Sequence, residues 1–164
     1  MGDTWVVGSL NVDLVVNVDR FHQPGETIRG HDFNTYLGGK GGNQAMALAR
    51  LGAAPRVIAS VGEDQFGTRY IAALSDAGAD VARVAVESDH PTGTALIEVD
   101  SSGQNRIVIV SGANGCMNAS TVRRRLADIA HGDLVLFQLE IPLDSVWEAV
   151  READDRGAVV VLDP

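Results

Sequence analysis

Apolar and polar positions along this chain switch between two periods, and the switches mark out its elements. Trp5-Val6-Val7-Gly8 is a short apolar run of the kind a buried strand makes. After a break at Asn11, Leu14 to Val18 predicts a second strand, and Thr27 to Leu37 alternates loosely as another. Gln44 to Leu51 is helical, with small residues at Ala45, Ala47 and Ala49, and Gly52 stands where a helix C-cap belongs. Arg56 to Val61 is a short apolar strand. Phe66, Tyr70, Ile71 and Leu74 then recur at helical spacing, with Asp64 placed as N-cap and Gly78 as the stop.

Thr94 to Val99 and Arg106 to Val110 are β-rich runs joined by Asp100-Ser101-Ser102-Gly103-Gln104, a hairpin pattern. Val122, Leu126 and Ile129 mark a further helix, and Leu134 to Phe137 a buried strand. Leu143, Val146, Trp147 and Val150 mark the next helix, with Pro142 at its start, where proline is tolerated. Val159 to Leu162 is the last strand. The later elements run strand–helix–strand–helix–strand, which is the order of an open parallel sheet covered by helices, an α/β fold. The hairpin within 94–110, with 14–18 and 27–37, fits that order poorly and predicts a small separate sheet, such as a lid.

Composition narrows the picture. A chain of 164 residues fits one domain and can bury a core. Its formal net charge of −9, from 13 Lys plus Arg against 22 Asp plus Glu, argues against nucleic acid or an anionic membrane as the main partner. Arg123-Arg124-Arg125, beside Asp128, reads as a solvated helix face. Cys116 is the single cysteine, so no internal disulfide can form, which suits a reducing cytoplasm. The N-terminus has no signal-peptide pattern, and no apolar run approaches the roughly 20 residues of a spanning helix.

Candidate chemistry gathers at three places. Asn11 and Asp13 follow the first strand, two apart, so in extended chain they face one way. A carboxylate that accepts beside an amide that donates and accepts suits a polyhydroxyl ligand, though Asn and Asp are also common turn formers. Gly38-Gly39-Lys40-Gly41-Gly42-Asn43 puts four glycines in six positions before a helix. The spacing fits neither the nucleotide-phosphate loop nor the dinucleotide fingerprint, whose third glycine would fall at Gln44. What remains is a backbone that hugs a small ligand, or a tight strand-to-helix turn. Glu140 lies just past a buried strand, where open α/β sheets bind ligands, and is equally compatible with an exposed loop acid. His22, His31, His90 and His131 are scattered without metal-ligand spacing, and no Gly-x-Ser-x-Gly elbow occurs.

Taken together, seven segments in order resemble the ribokinase family of carbohydrate kinases, also called the PfkB family. They are Gly8-Ser9-Leu10-Asn11-Val12-Asp13, Phe21-His22-Gln23-Pro24-Gly25-Glu26-Thr27 (with His22 in place of a proline), the Gly38–Ala45 signature, Gly62-Glu63-Asp64-Gln65-Phe66-Gly67, Thr92-Gly93-Thr94-Ala95, Ser111-Gly112-Ala113-Asn114 and Gln138-Leu139-Glu140. The resemblance implies a ribokinase-like three-layer open sheet, mostly parallel, with a small β lid sheet. It implies that Asn11, Asp13, Gly39, Lys40, Asn43 and Glu140 bind sugar, with Ala95 and Ile107 as apolar lid contacts. The complete enzyme would use ATP, with Mg2+ and K+, to phosphorylate a sugar, nearest to D-ribose at its 5-hydroxyl. A nucleoside, a keto-deoxy sugar acid or a fructose phosphate are the other acceptors, and a non-catalytic sugar-binding fragment is the rival from another class.

The resemblance also implies a C-terminal half absent from this chain, with the catalytic base and most of the nucleotide and cation sites. The chain alone would then be catalytically silent, and insoluble, dimeric or part of a longer protein. A cytoplasmic homodimer joined through the lid sheet is expected, with no catalytic residue and no metal site in this chain.

Overall fold

The computed structural model describes residues 2–164. In chain order the elements are β1 (Thr4–Val7), β2 (Asn11–Val18), β3 (Gly30–Gly38), α1 (Lys40–Arg50), β4 (Arg56–Gly62), α2 (Gln65–Asp76), β5 (Asp80–Glu87), β6 (Gly93–Val99), β7 (Asn105–Val110), α3 (Ala119–Arg125), β8 (Leu134–Gln138), α4 (Leu143–Asp155) and β9 (Val159–Asp163), with a 3-10 helix at Gly112–Cys116. Five strands form a parallel sheet in the order β5-β4-β1-β8-β9. The other four form a second sheet, β3-β2-β6-β7, with β2 parallel to β6 and the remaining pairs antiparallel.

The two-residue period of β1 explains the layering. Trp5 and Val7 face a core shared with α3 and α4 residues such as Val122, Val146 and Ala149. Val6 faces the opposite core, with Ala45 and Ala49 of α1 and Tyr70 and Leu74 of α2. Because both faces of β1 are covered, it reads as an unbroken apolar run. Trp5 is anchored at its polar end too: its indole N–H donates to Asp133 at 2.9 Å, while Arg56 and Arg83 stack on its ring.

Several elements differ from the sequence expectation. β2 starts at Asn11 rather than after it, and β3 spans Gly30–Gly38, leaving Thr27 to Arg29 outside the sheet. β5 has no counterpart in the apolar pattern. It is an edge strand, and Arg83 interrupts its run. α1 begins at Lys40, so Gly41 and Gly42 are helical and buried. Pro142 is the N-cap of α4. The Arg123–Arg125 run is not simply solvated. Arg125 is half-buried and donates to the Ala59 carbonyl at 3.0 Å, and Arg123 pairs with Glu152 at 2.9 Å.

Asp64 does cap α2, accepting from Gly67 N at 2.8 Å. Its carboxylate also accepts from the N–H and hydroxyl of Thr92, at 2.8 and 2.7 Å. Burial acts to raise the Asp64 pKa, but these backbone and hydroxyl donors outweigh it and hold the carboxyl below its ordinary value. One carboxylate thus ties the parallel sheet to the segment that enters the second sheet at β6.

Candidate functional site

The switch point of the parallel sheet lies between β1 and β8, because the chain passes from β1 to β4 on one side and places β8 on the other. Ligands of open α/β sheets bind beyond the strand ends at such a point. Two predicted residues flank it: Asn11, just past β1, and Glu140, just past β8. They share the lining of a cleft of about 440 Å3 with Asn114, Ser111, Ile109 and Leu139. Its size suits a small ligand.

The glycine turn comes to the same place through strand pairing. In the β2–β3 ladder Gly38 opposes Asn11 and Tyr36 opposes Asp13. A Cβ on Gly38 would stand 2.2 Å from the Asp13 carboxylate. Gly39, at φ 83°, would carry one 2.8 Å from the Asn11 backbone nitrogen. Gly41 presses against Ser9, where an added Cβ would lie 2.7 Å from both backbone N and O. Gly42 faces Tyr70, whose Oη stands 1.8 Å from the Cβ position. The glycines therefore serve close approach, to the β1–β2 turn on one side and to α2 on the other.

α1 lacks a local side-chain cap, since Gly39 occupies its N-cap. Glu140 supplies one from a distant part of the chain. Its Oε2 accepts from Lys40 N at 2.9 Å and from the Ser9 hydroxyl at 2.6 Å. A carboxylate at a helix N-terminus is favourable, and here it occupies the place where an anionic ligand could have sat. Gly42 N donates to Ser9 O at 2.9 Å and completes the seam.

Asp13 is raised in pKa, first by burial and then by the nearby Glu140 charge. Tyr70 donates its hydroxyl to the Gly38 carbonyl at 2.5 Å. Burial, with the Asp13 and Glu140 carboxylates behind it, pushes that phenol up, so Tyr70 stays a donor.

The Lys40 side chain turns elsewhere, with Nζ donating to Pro164 O at 2.6 Å and lying 3.9 Å from Asp163. Asn43 is exposed on the first turn of α1. Ala95 opposes Asp13 across β2 and β6, and Ile109 opposes Ala95 on β7. Ile107 shares that face two residues further from the cleft, while Ile109 lines it. The structure thus gathers Asn11, Asp13, Gly39 and Glu140 closely, with Ala95 beside Asp13 across the β2–β6 ladder. It sets the Lys40 ammonium apart.

The sequence pattern does not mark Ser9, Tyr70 or Asn114 as site residues: Ser9 and Asn114 stand inside the family-like segments, and Tyr70 has the helical spacing of a core residue. Chemically the site offers the Asp13 and Glu140 carboxylates as acceptors beside the Asn11 amide, a set that can meet hydroxyl groups. Among the described residues no group of three or more His, Cys, Asp or Glu is placed to hold a metal ion.

Known proteins resemble this chain in sequence and fold. A ribokinase from Haemophilus influenzae is 42% identical over 159 residues, covering 97% of this chain and 52% of the relative. A deoxyribokinase from Salmonella typhi is 32% identical, covering 99% and 53%. The structure of Arabidopsis thaliana ribokinase complexed with ribose and ATP superposes with a TM-score of 0.84 at 33% identity, over 100% of this chain and 54% of that one. The chain spans about half the length of the curated relatives it matches. The model of the pfkB family of carbohydrate kinases matches residues 1–164, and the chain belongs to that family.

Proposed function

We propose that this chain is the sugar-binding half of an ATP-dependent carbohydrate kinase that phosphorylates D-ribose on its 5-hydroxyl. One observation carries the choice of a neutral sugar. Asp13 and Glu140 lie close enough for the charge of one to raise the pKa of the other, while the Lys40 ammonium is held by Pro164 O and Asp163. A sugar acid or sugar phosphate would meet two carboxylates and, among the described residues, no cation facing them. Ribose hydroxyls can donate to both.

In this reading Asn11 and Asp13 hold sugar hydroxyls, and Gly39 lets the backbone close over them. Asn43 contributes from the first turn of α1 and Glu140 holds the far side, while the Lys40 ammonium, expected from the sequence at the sugar, lies apart with Pro164 O and Asp163. The second sheet acts as the lid, with Ala95, Ile107 and Ile109 offering its apolar contacts. The opposite face of that sheet exposes Phe33, Leu96, Val108 and Val110, and we assign it to a homodimer.

ATP does not fit the glycine turn, because Glu140 already occupies the Lys40 amide. We therefore assign ATP, Mg2+ and K+ to the full-length protein outside the described site, and expect this chain alone to be catalytically silent. A cytoplasmic location belongs to the same proposal. No helix among the described residues is long and apolar enough to cross a membrane.

The test is calorimetry of the full-length protein with ribose, with and without ATP, beside an ADP-release assay using ribose, 2-deoxyribose, a nucleoside and fructose 6-phosphate. Ribose-dependent ADP release, faster than with the other acceptors, supports the proposal. Ribose binding without turnover supports a non-catalytic sugar-binding protein instead. Absence of ribose binding refutes both.

A further inference from the structure

The geometry points to Asn114 as a positioning residue that fixes which end of the Asn11 amide meets the sugar. This rests on the reading of Asn11 as a sugar ligand. Asn114 sits in the 3-10 helix Gly112–Cys116 and is 1% exposed. The Leu10 amide N–H donates to its Oδ1 at 2.9 Å, and its Nδ2 donates to the Leu10 carbonyl at 3.1 Å. A backbone N–H can only donate and a backbone C=O can only accept. These two partners therefore decide which end of the Asn114 amide is oxygen and which is nitrogen.

The consequence reaches Asn11. The second hydrogen of Asn114 Nδ2 goes to Asn11 Oδ1 at 2.8 Å. That turns the Asn11 oxygen inward and leaves its –NH2 as the group offered to the cleft that Asn11 lines. Asn11 Nδ2 has no protein partner among the described residues. Gly93, the first residue of β6, makes room for the pair. A Cβ there would stand 2.2 Å from Asn114 Nδ2 and 2.3 Å from Asn11 Oδ1.

Orientation matters because Asp13 and Glu140 only accept hydrogen bonds when ionised. An Asn11 turned the other way would offer a third acceptor. Held by Asn114, it offers a donor. The ligand atom at Asn11 must then bring a lone pair, as a hydroxyl or ring ether oxygen does, while neighbouring hydroxyls donate to the carboxylates. An ammonium at that position would meet N–H against N–H. Asn114 thereby selects a polyol over an amino-sugar cation that the two carboxylates alone would attract.

The test is a double-mutant cycle in the full-length protein, read by ribose calorimetry with thermal melting as the check on folding. Asn114→Leu removes the donor to Asn11 Oδ1 and frees that amide to turn. It is expected to weaken ribose binding about tenfold, the worth of one well-placed hydrogen bond at the upper end. In an Asn11→Ala background the same change is expected to alter the affinity less than about twofold, because its target is gone.

Equal loss in both backgrounds, or no loss in either, overturns the inference. Wild-type protein that fails to bind ribose refutes the functional reading itself, a separate result. If Asn114→Leu does not fold, Gly93→Ala replaces it in the same cycle with the same expectation, since its methyl would wedge the two amides apart.

Discussion

Gly41→Ala sets two physical effects against each other. Gly41 is the second residue of α1, and by propensity alone alanine should stabilise this helical position by up to about 1 kcal/mol. The structure opposes this. The added Cβ would lie 2.7 Å from Ser9 N, 2.7 Å from Ser9 O and 2.8 Å from Gly8 C. All three are backbone atoms, so no side chain can swing aside. α1 must move off the β1–β2 turn, with overpacking of about 1–3 kcal/mol. The displacement also stretches the Gly42 N to Ser9 O bond, worth about 0.5–1.5 kcal/mol. The balance is a destabilisation of about 2 kcal/mol.

Urea denaturation of the full-length protein measures it, with Gly115→Ala as the control. At Gly115 the nearest atom to a new Cβ is 3.9 Å away, and a change within about 0.5 kcal/mol is expected. Ribose affinity should fall with Gly41→Ala, because the same movement lifts the Lys40 amide off Glu140. A variant stabilised by about 1 kcal/mol, with ribose binding intact, would falsify the close packing of the glycine turn on Ser9.

Three further outcomes are expected. Asp13 accepts most strongly from hydroxyls when ionised and its pKa is raised, so ribose affinity should fall with decreasing pH at a midpoint above the ordinary 3.8. Asp13→Asn should remove that step, and an affinity flat from about pH 8 to about pH 4 would contradict it. Asp64 has the opposite sign. Its lowered folded pKa gives stability that is present above the unfolded value of 3.8 and lost as pH falls through the folded one. Asp64→Ala should cost about 2 kcal/mol near neutral pH, from the lost cap and the Thr92 bonds, and an unchanged urea midpoint would exclude this role. Val108→Asp on the apolar face of the second sheet should yield a monomer in light scattering, and a persistent dimer would place the interface elsewhere.

Strand composition makes much of this fold legible, including β7 and β9, which are largely exposed but rich in β-branched residues. β1 and β8 are legible because helices cover both sides and leave no room for polar interruptions. β5 is not, because an edge strand tolerates Arg83, whose guanidinium folds back over Trp5 and pairs with Asp128. The start of α1 is misjudged from sequence because glycine normally signals loop. Here Gly41 and Gly42 are helical because Ser9 and Tyr70 need the space, a tertiary demand that overrides propensity. Asn11, Asp13 and Glu140 are legible as polar residues at strand ends. The contacts around them join residues far apart in sequence, Tyr70 with Gly38 and Asn114 with Leu10, across separations of 32 and 104. No local pattern encodes such contacts.

The most direct test of the sugar-binding reading is a crystal structure of the full-length protein with ribose. The sugar is expected between Asn11 and Asp13 on one side and Glu140 on the other, beneath Ala95, with the Asn11 Nδ2 within hydrogen-bond distance of a ribose oxygen. Ribose bound elsewhere, with the cleft between Asn11 and Glu140 empty, would contradict it.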